Sequence, residues 1–103
     1  MPRDTLAEIA DDTLLVLYAN GDRDAARLLT QRLLPRLVSY SGRMLADRSE
    51  AEDVAQDVML RLWQMAPDWR QGEAKVSTWA YRVASNLCTD RLRARTRRRT
   101  SAL

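Results

Sequence analysis

Apolar residues recur along the chain at intervals of three and four, which is the spacing of one face of a helix. No segment alternates strictly between apolar and polar positions, as a half-buried strand would. Only three glycines and three prolines interrupt the pattern. The spacing therefore predicts an all-α fold, a compact bundle of four to five helices.

The first two helices are predicted on either side of the sequence NGD, residues 20–22. The first begins near Asp12, a candidate N-cap, and ends where Gly21 suits a left-handed backbone conformation. Asp22 is placed to cap the second helix. Because proline lacks the N–H that a helix interior needs, Pro35 is predicted to kink or split this second helix.

The third helix is predicted to start at the sequence SEAE, residues 49–52, which has the S-x-x-E form of a capping box. Apolar residues then follow at helical spacing and predict one buried stripe: Ala51, Val54, Ala55, Val58 and Leu62. Polar residues fall on another face of the same helix: Asp53, Gln56, Asp57, Arg61 and Gln64. This helix is thus predicted to bury one side and to expose an acidic one.

Residues 64–76 contain Pro67 and Gly72 and are predicted to form a loop of about a dozen residues, a length that is usually functional or disordered. A fourth helix is predicted from near Ser77. Its expected core stripe is Ala80, Val83, Ala84, Leu87, Cys88 and Leu92. Cys88 is expected to be a small core residue rather than a redox sensor. Large aromatic residues at helical positions are expected to pack mainly in the core: Trp63, Trp79 and Tyr81.

Charge is divided unevenly along the chain. Residues 1–60 hold seven basic and eleven acidic side chains, whereas residues 61–103 hold ten basic and three acidic ones. Of the seventeen basic residues, sixteen are arginine, whose planar guanidinium suits phosphates and base edges. The six arginines between Arg91 and Arg99 therefore indicate either a nucleic-acid ligand or a solvated, frayed tail, and composition alone does not separate the two.

The composition leaves few residues for catalysis. The chain has no histidine and one cysteine, so neither a nucleophile with its base nor a metal site is expected. An enzyme is the least expected class of function, and no cofactor is expected. No run of about 18 apolar residues and no signal-peptide pattern occurs, so a cytoplasmic protein without membrane insertion is expected.

Three segments, in this order, resemble region 2 of the extracytoplasmic-function (ECF) sigma factors, the promoter-reading subunits of bacterial RNA polymerase: GDRDAARLL, AEDVAQDVMLRLW and STWAYRVASNLCTDRLR. The resemblance runs from about residue 12 to residue 98. It implies a sigma region 2 domain over residues 12–95, with an N-terminal extension (1–11) and a basic tail (96–103) leading to a linker. Ala80 stands where the family usually has leucine, a core change. The family's second domain, a helix-turn-helix, is expected to lie outside this chain.

The resemblance implies a transcription initiation factor domain without catalysis of its own. Its implied partner is the RNA polymerase core, through the coiled coil of the largest subunit. The implied docking residues are Asp53, Gln56 and Asp57. Like charges four residues apart weaken an isolated helix by a few tenths of a kcal/mol, which agrees with a basic partner. The same charges could also simply solvate the helix and stabilise its N-terminal half. An anti-sigma factor is a further implied partner.

The second implied ligand is the non-template strand of the minus-10 promoter element. Single-strand binding combines a basic groove with stacking platforms worth about 1–3 kcal/mol per base, which offsets part of the cost of melting. The resemblance places an extruded base in a loop pocket matched by Met65, Asp68, Trp69 and Arg70. It places base reading on helix four, chiefly at Asn86, with Arg82, Asp90 and Arg93 nearby. Trp79 is expected to offer a ring edge, and Arg97 and Arg98 to hold phosphates.

Two other functions stay open at this point. A sigma-like mimic that binds an anti-sigma regulator without binding DNA would keep the protein-binding face and lose the DNA face. Here the loop aromatics, Asn86 and the arginines are all present, which counts against mimicry. A general nucleic-acid-binding helical module would account for the arginines but would leave AEDVAQD unexplained.

Overall fold

The computed structural model describes residues 8–102, and this part of the chain contains four α-helices, one short 3-10 helix and no strand. The helices are α1 (Asp11–Ala19), α2 (Arg23–Leu45), α3 (Arg48–Met65) and α4 (Val76–Ser101), with the 3-10 helix at Ala66–Asp68. The predicted all-α bundle of four to five helices is confirmed. Residues 1–7 of the predicted N-terminal extension lie outside the described residues. None of the described helices combines the length and the apolar character needed to cross a membrane.

One buried stripe per helix builds the core, and burying each leucine in it stabilises the fold by about 1.5–3 kcal/mol. The predicted stripe of α3 is confirmed, since all five residues are at most 1% exposed. Of the predicted stripe of α4, Ala80, Ala84 and Cys88 are buried, while Val83, Leu87 and Leu92 are half-buried and pack on the core. Cys88 is therefore a core residue, as expected, and Ala80 occupies a core position.

The start of α1 differs from the prediction, and Asp12 as its N-cap is wrong. The helix begins at Asp11, and its N-cap is Ala10, two residues earlier than predicted; the Ala10 carbonyl oxygen accepts a hydrogen bond from the Leu14 N–H at 3.0 Å. Asp11 takes up a tertiary contact, because its carboxylate accepts from the Arg32 guanidinium at 2.9 Å. This ion pair joins the first turn of α1 to the middle of α2.

The turn between α1 and α2 follows the prediction. Gly21 has a φ of +100°, a conformation that other residues rarely adopt. The Asp22 carboxylate accepts hydrogen bonds from the backbone N–H groups of Asp24 and Ala25, at 3.0 and 3.1 Å. Asp22 therefore caps α2, as predicted.

α2 continues through Pro35 without interruption, so of the two predicted effects of this residue, splitting is wrong, and a kink stays a prediction. Proline removes the donor that would bond the carbonyl of Gln31. Both residues are exposed, so water can reach the unpaired carbonyl and the helix need not end there.

The cap of α3 is also not where the sequence pattern placed it. The helix begins at Arg48, and the Asp47 carboxylate accepts from the Glu50 N–H at 2.9 Å. Ser49 lies inside the first turn, and the Glu52 carboxylate accepts from the Arg48 guanidinium at 2.9 Å. The capping box at residues 49–52 is therefore wrong, because Asp47 supplies the cap two residues earlier.

The connection between α3 and α4 is shorter than predicted. α3 extends through Met65, the 3-10 helix follows, and only residues 69–75 lack helical structure. Ala66 is 2% exposed, so the chain stays packed on the core up to Pro67. α4 then begins at Val76, which is 1% exposed, one residue before the predicted start at Ser77.

The far part of α4 is tied to the junction between α2 and α3. Arg95 donates a hydrogen bond to the carbonyl oxygen of Leu45 at 2.8 Å and forms an ion pair with the Glu50 carboxylate. The other Glu50 oxygen lies 3.4 Å from an Arg91 guanidinium nitrogen. The Glu50 and Arg95 side chains are both 27% exposed. All described residues beyond Arg95 are exposed, so α4 projects past the bundle.

We expect Glu50→Gln to lower the free energy of unfolding by about 1 kcal/mol, since it leaves two half-buried guanidinium groups without their carboxylate. For a domain of this size, that loss corresponds to a melting temperature about 4–8 °C lower. The matched control is Glu52→Gln, whose partner Arg48 has a side chain 82% exposed. The control should cost less than about 0.5 kcal/mol. Circular dichroism melts measure both, and equal losses would contradict a stabilising role for Glu50.

Candidate functional site

One side of α4 carries an exposed stripe that the bundle does not cover. At 3.6 residues per turn, positions 79, 82, 86, 90, 93 and 97 fall within about 80° of one another, away from the buried side of the helix. Trp79 is half-buried and the other five are exposed. We call these residues the α4 stripe: Trp79, Arg82, Asn86, Asp90, Arg93 and Arg97. The helix thus brings together six of the residues predicted to contact DNA.

The arginines of residues 91–99 divide between two sides of α4. Arg91 and Arg95 continue the buried side and bind Glu50, whereas Arg93 and Arg97 continue the α4 stripe. Arg98 is exposed and lies about 100° around the helix from Arg97. The sequence-based prediction treated these arginines as one basic group. Extending the apolar stripe at helical spacing beyond position 88 reaches positions 91 and 95, so the signal for this division was present.

A small cleft lies between the connection after α3 and the first turn of α4. Its volume is 330 Å³, and its lining residues are Asp68, Trp69, Arg70, Glu73, Ala74 and Trp79. Three of the four predicted pocket residues line it. Met65 does not, because it ends α3 and packs half-buried on the core. Trp79 belongs both to the cleft and to the α4 stripe, so the two form one continuous surface.

Trp69 and Arg70 both line this cleft, and they differ in how firmly the fold holds them. Trp69 is half-buried and packs against the core, and its indole N–H is buried without an acceptor among the described residues. Arg70 lies 3.8 Å from the Glu73 carboxylate, and the two side chains are 80% and 69% exposed. An ion pair this exposed contributes little, so Arg70 can exchange Glu73 for another anion at low cost.

The remaining aromatic residues are part of the packing, as predicted. The Trp63 ring lies 4.5 Å from the Tyr18 ring, centroid to centroid, and Tyr81 meets Tyr40 edge-on at 5.4 Å. Both pairs join neighbouring helices and rest on the core. Trp79 is half-buried in the same way, and of the three aromatic residues that were predicted to pack, Trp63, Trp79 and Tyr81, it alone lines the cleft.

A second surface lies on α3, on the side away from its buried stripe. We call Asp53, Gln56 and Asp57 the acidic face. Asp53 and Gln56 are exposed, and Asp53 makes no hydrogen bond or ion pair with another described residue. Asp57 accepts from the Arg61 guanidinium at 2.9 Å, which offsets its repulsion with Asp53. The most available charge of the acidic face is therefore Asp53.

The Sigma-70 region 2 family model matches residues 29–98 of this chain. The RNA polymerase sigma-H factor of Pseudomonas aeruginosa is 31% identical over 93 residues, which cover 90% of this chain and 48% of that protein. The ECF RNA polymerase sigma factor SigW of Bacillus subtilis is 37% identical over 73 residues, covering 71% and 38%. SigM of Mycobacterium tuberculosis, another ECF sigma factor, is 38% identical over 89 residues, covering 84% and 43%. The chain spans less than half the length of these relatives, and no solved structure matches it significantly.

Proposed function

The chain belongs to the sigma-70 region 2 family, and on that premise we propose that it is the domain of a bacterial transcription initiation factor that binds the RNA polymerase core and the minus-10 promoter strand. The observation that carries the proposal is the continuity of the cleft with the α4 stripe through Trp79. One surface thereby offers a recess beside aromatic rings, an exposed amide and three exposed arginines that form no ion pair with another described residue: Arg82, Arg93 and Arg97.

The cleft and the stripe suit a single strand better than a duplex. A base turned out of the stack needs a recess and a ring to pack on, and each stacked base contributes about 1–3 kcal/mol. Trp69 and Trp79 are the rings at the cleft. Asn86 lies two turns along α4 from Trp79, about 10 Å away, where it can bind the edge of a neighbouring base. Arg93 lies two turns beyond Asn86 and Arg97 one turn beyond Arg93, and both suit the phosphates that follow the base.

The acidic face supplies the contact proposed for the polymerase core. Its exposed carboxylates favour a basic partner surface, for which the coiled coil of the largest subunit is the proposed candidate. The separation of roles supports two partners at once, because the acidic face and the α4 stripe are on different helices and each faces away from the core. An anti-sigma factor that covers either surface is a further proposed partner.

The sigma-like mimic is the second candidate function, and the DNA surface distinguishes it from the first. A mimic has no need of an arginine pair aligned with an exposed Asn86, or of a cleft beside Trp79. Both features are present and uncovered in the described chain, and they support a domain that binds DNA.

Arg97→Ala combined with Arg98→Ala is expected to weaken binding to every single strand alike. Each lost phosphate contact should flatten the dependence of log K on log salt by about 0.7, whatever the base sequence. The matched control is Arg27→Ala with Arg36→Ala, which removes the same charge from exposed positions on α2. Fluorescence anisotropy across a salt series measures both pairs. If the control pair flattens the slope as much, the effect is one of net charge and α4 is not the phosphate-binding element.

A further inference from the structure

Leu60 is exposed on α3, with 60% of its surface accessible, and no other large apolar residue among residues 8–102 is exposed. Single exposed leucines are common on protein surfaces, so exposure alone assigns no role. The sequence pattern did not single out this residue. Its position on α3, relative to the buried stripe and to the acidic face, distinguishes it from other exposed leucines.

Leu60 lies on the side of α3 that faces away from the core. At about 100° per residue, it is some 160–180° around the helix from Ala51, Val58 and Leu62, all of which are fully buried. A side chain at the edge of the buried stripe could fold back onto the core. One opposite the stripe cannot, so Leu60 does not pack into the core of the described chain and most of its surface stays exposed.

The same side of α3 carries the acidic face. Gln56 precedes Leu60 by one turn and Asp53 precedes it by two, and both lie within about 40° of it around the helix axis. Asp53 has no hydrogen-bond or ion-pair partner among residues 8–102, whereas Asp57 is held by Arg61. Along this exposed side of α3, the available carboxylate of Asp53 and the apolar side chain of Leu60 are therefore about 10 Å apart.

We propose that Leu60 is the apolar contact of the acidic face. Its partner presents an apolar pocket for Leu60 and, about 10 Å away, a cationic side chain for Asp53. This inference rests on the proposed function, since the partner is the RNA polymerase core. Leu60 supplies affinity by desolvation, which salt does not screen, while Asp53 supplies orientation and speed of association.

Leu60→Ala is expected to lower the affinity for polymerase core about 10- to 30-fold, because alanine leaves most of the pocket unfilled. The loss should be the same across a salt series, whereas the loss caused by Asp53→Asn should shrink as salt rises. Leu60→Met retains an apolar side chain of similar volume and should bind within about threefold of wild type. Gln64→Ala, one turn further along the exposed side, is the control and should bind as wild type.

Circular dichroism melts should be nearly unchanged in all four variants, since the positions are exposed, alanine and methionine are good helix formers, and asparagine has a helix propensity close to that of aspartate. Anisotropy of the labelled domain with polymerase core then decides. A salt-independent loss for Leu60→Ala, restored by Leu60→Met, supports the inference. Wild-type affinity of Leu60→Ala beside a weakened Asp53→Asn overturns it and leaves polymerase docking in place. Wild-type affinity of both variants overturns docking through this face as well.

Discussion

Replacing Asp53 and Asp57 together with arginine is expected to lower the affinity for RNA polymerase core by about 100-fold or more. Juxtaposing like charges across an interface costs several kcal/mol, and about 2.7 kcal/mol already corresponds to 100-fold. The change also removes the ion pair between Asp57 and Arg61, whose side chains are 44% and 51% exposed. That loss should cost less than about 1 kcal/mol of stability, so the domain stays folded.

The control for this reversal is Glu8→Arg with Asp24→Arg, which changes the net charge equally at exposed positions near the starts of α1 and α2. Binding is measured by anisotropy of the labelled domain with polymerase core at about 0.15 M salt. We expect the control pair to bind within a few-fold of wild type. Similar affinities for the two reversed pairs would mean that the acidic face is not the docking site.

The second large effect is expected at Asn86. Asn86→Ala should reduce discrimination between a strand that carries the preferred minus-10 sequence and a scrambled strand by about 1–3 kcal/mol. The slope of log K against log salt should not change. A polar side chain that binds a base edge contributes to sequence preference, whereas the charges that set the slope are still in place. The matched control is Gln31→Ala, another exposed amide on a helix.

If Asn86→Ala lowers the affinity for both strands in the same proportion, α4 binds DNA without reading its sequence, and the general nucleic-acid module becomes the better description.

Trp69 is a poorer position for this test. Its ring packs on the core, so a small residue there would destabilise the domain as well as alter the cleft. Asn86 makes no such contact, and its replacement isolates the reading of bases.

The fold could be predicted because the apolar spacing is local and regular. The stripe of α3 and the buried residues of α4 follow directly from intervals of three and four, and Asp22 caps α2 where the turn sequence placed it. The ends of helices were harder. Asp47 and Ser49 are both good N-cap residues, and the choice between them depends on how the chain leaves α2, a tertiary feature.

The candidate site could be predicted in part, through the exposed residues of α4 and three residues of the cleft. Its electrostatics could not, because Glu50 and Arg95 are 45 residues apart and meet only in the folded chain. That pairing decides which arginines are left for a ligand. Leu60 was missed for the opposite reason, since an apolar residue within an apolar-rich helix gives no sign that it faces outward until the core is known.

Selection from a pool of single strands randomised over the minus-10 element tests the central claim most directly. The domain, polymerase core, and the two together are each incubated with the pool, and the bound strands are sequenced. We predict that the complex enriches one short motif, that core alone does not, and that the enrichment becomes weaker when the domain carries Asn86→Ala. A complex that forms but retains strands of every sequence equally would contradict the claim that this domain reads the promoter.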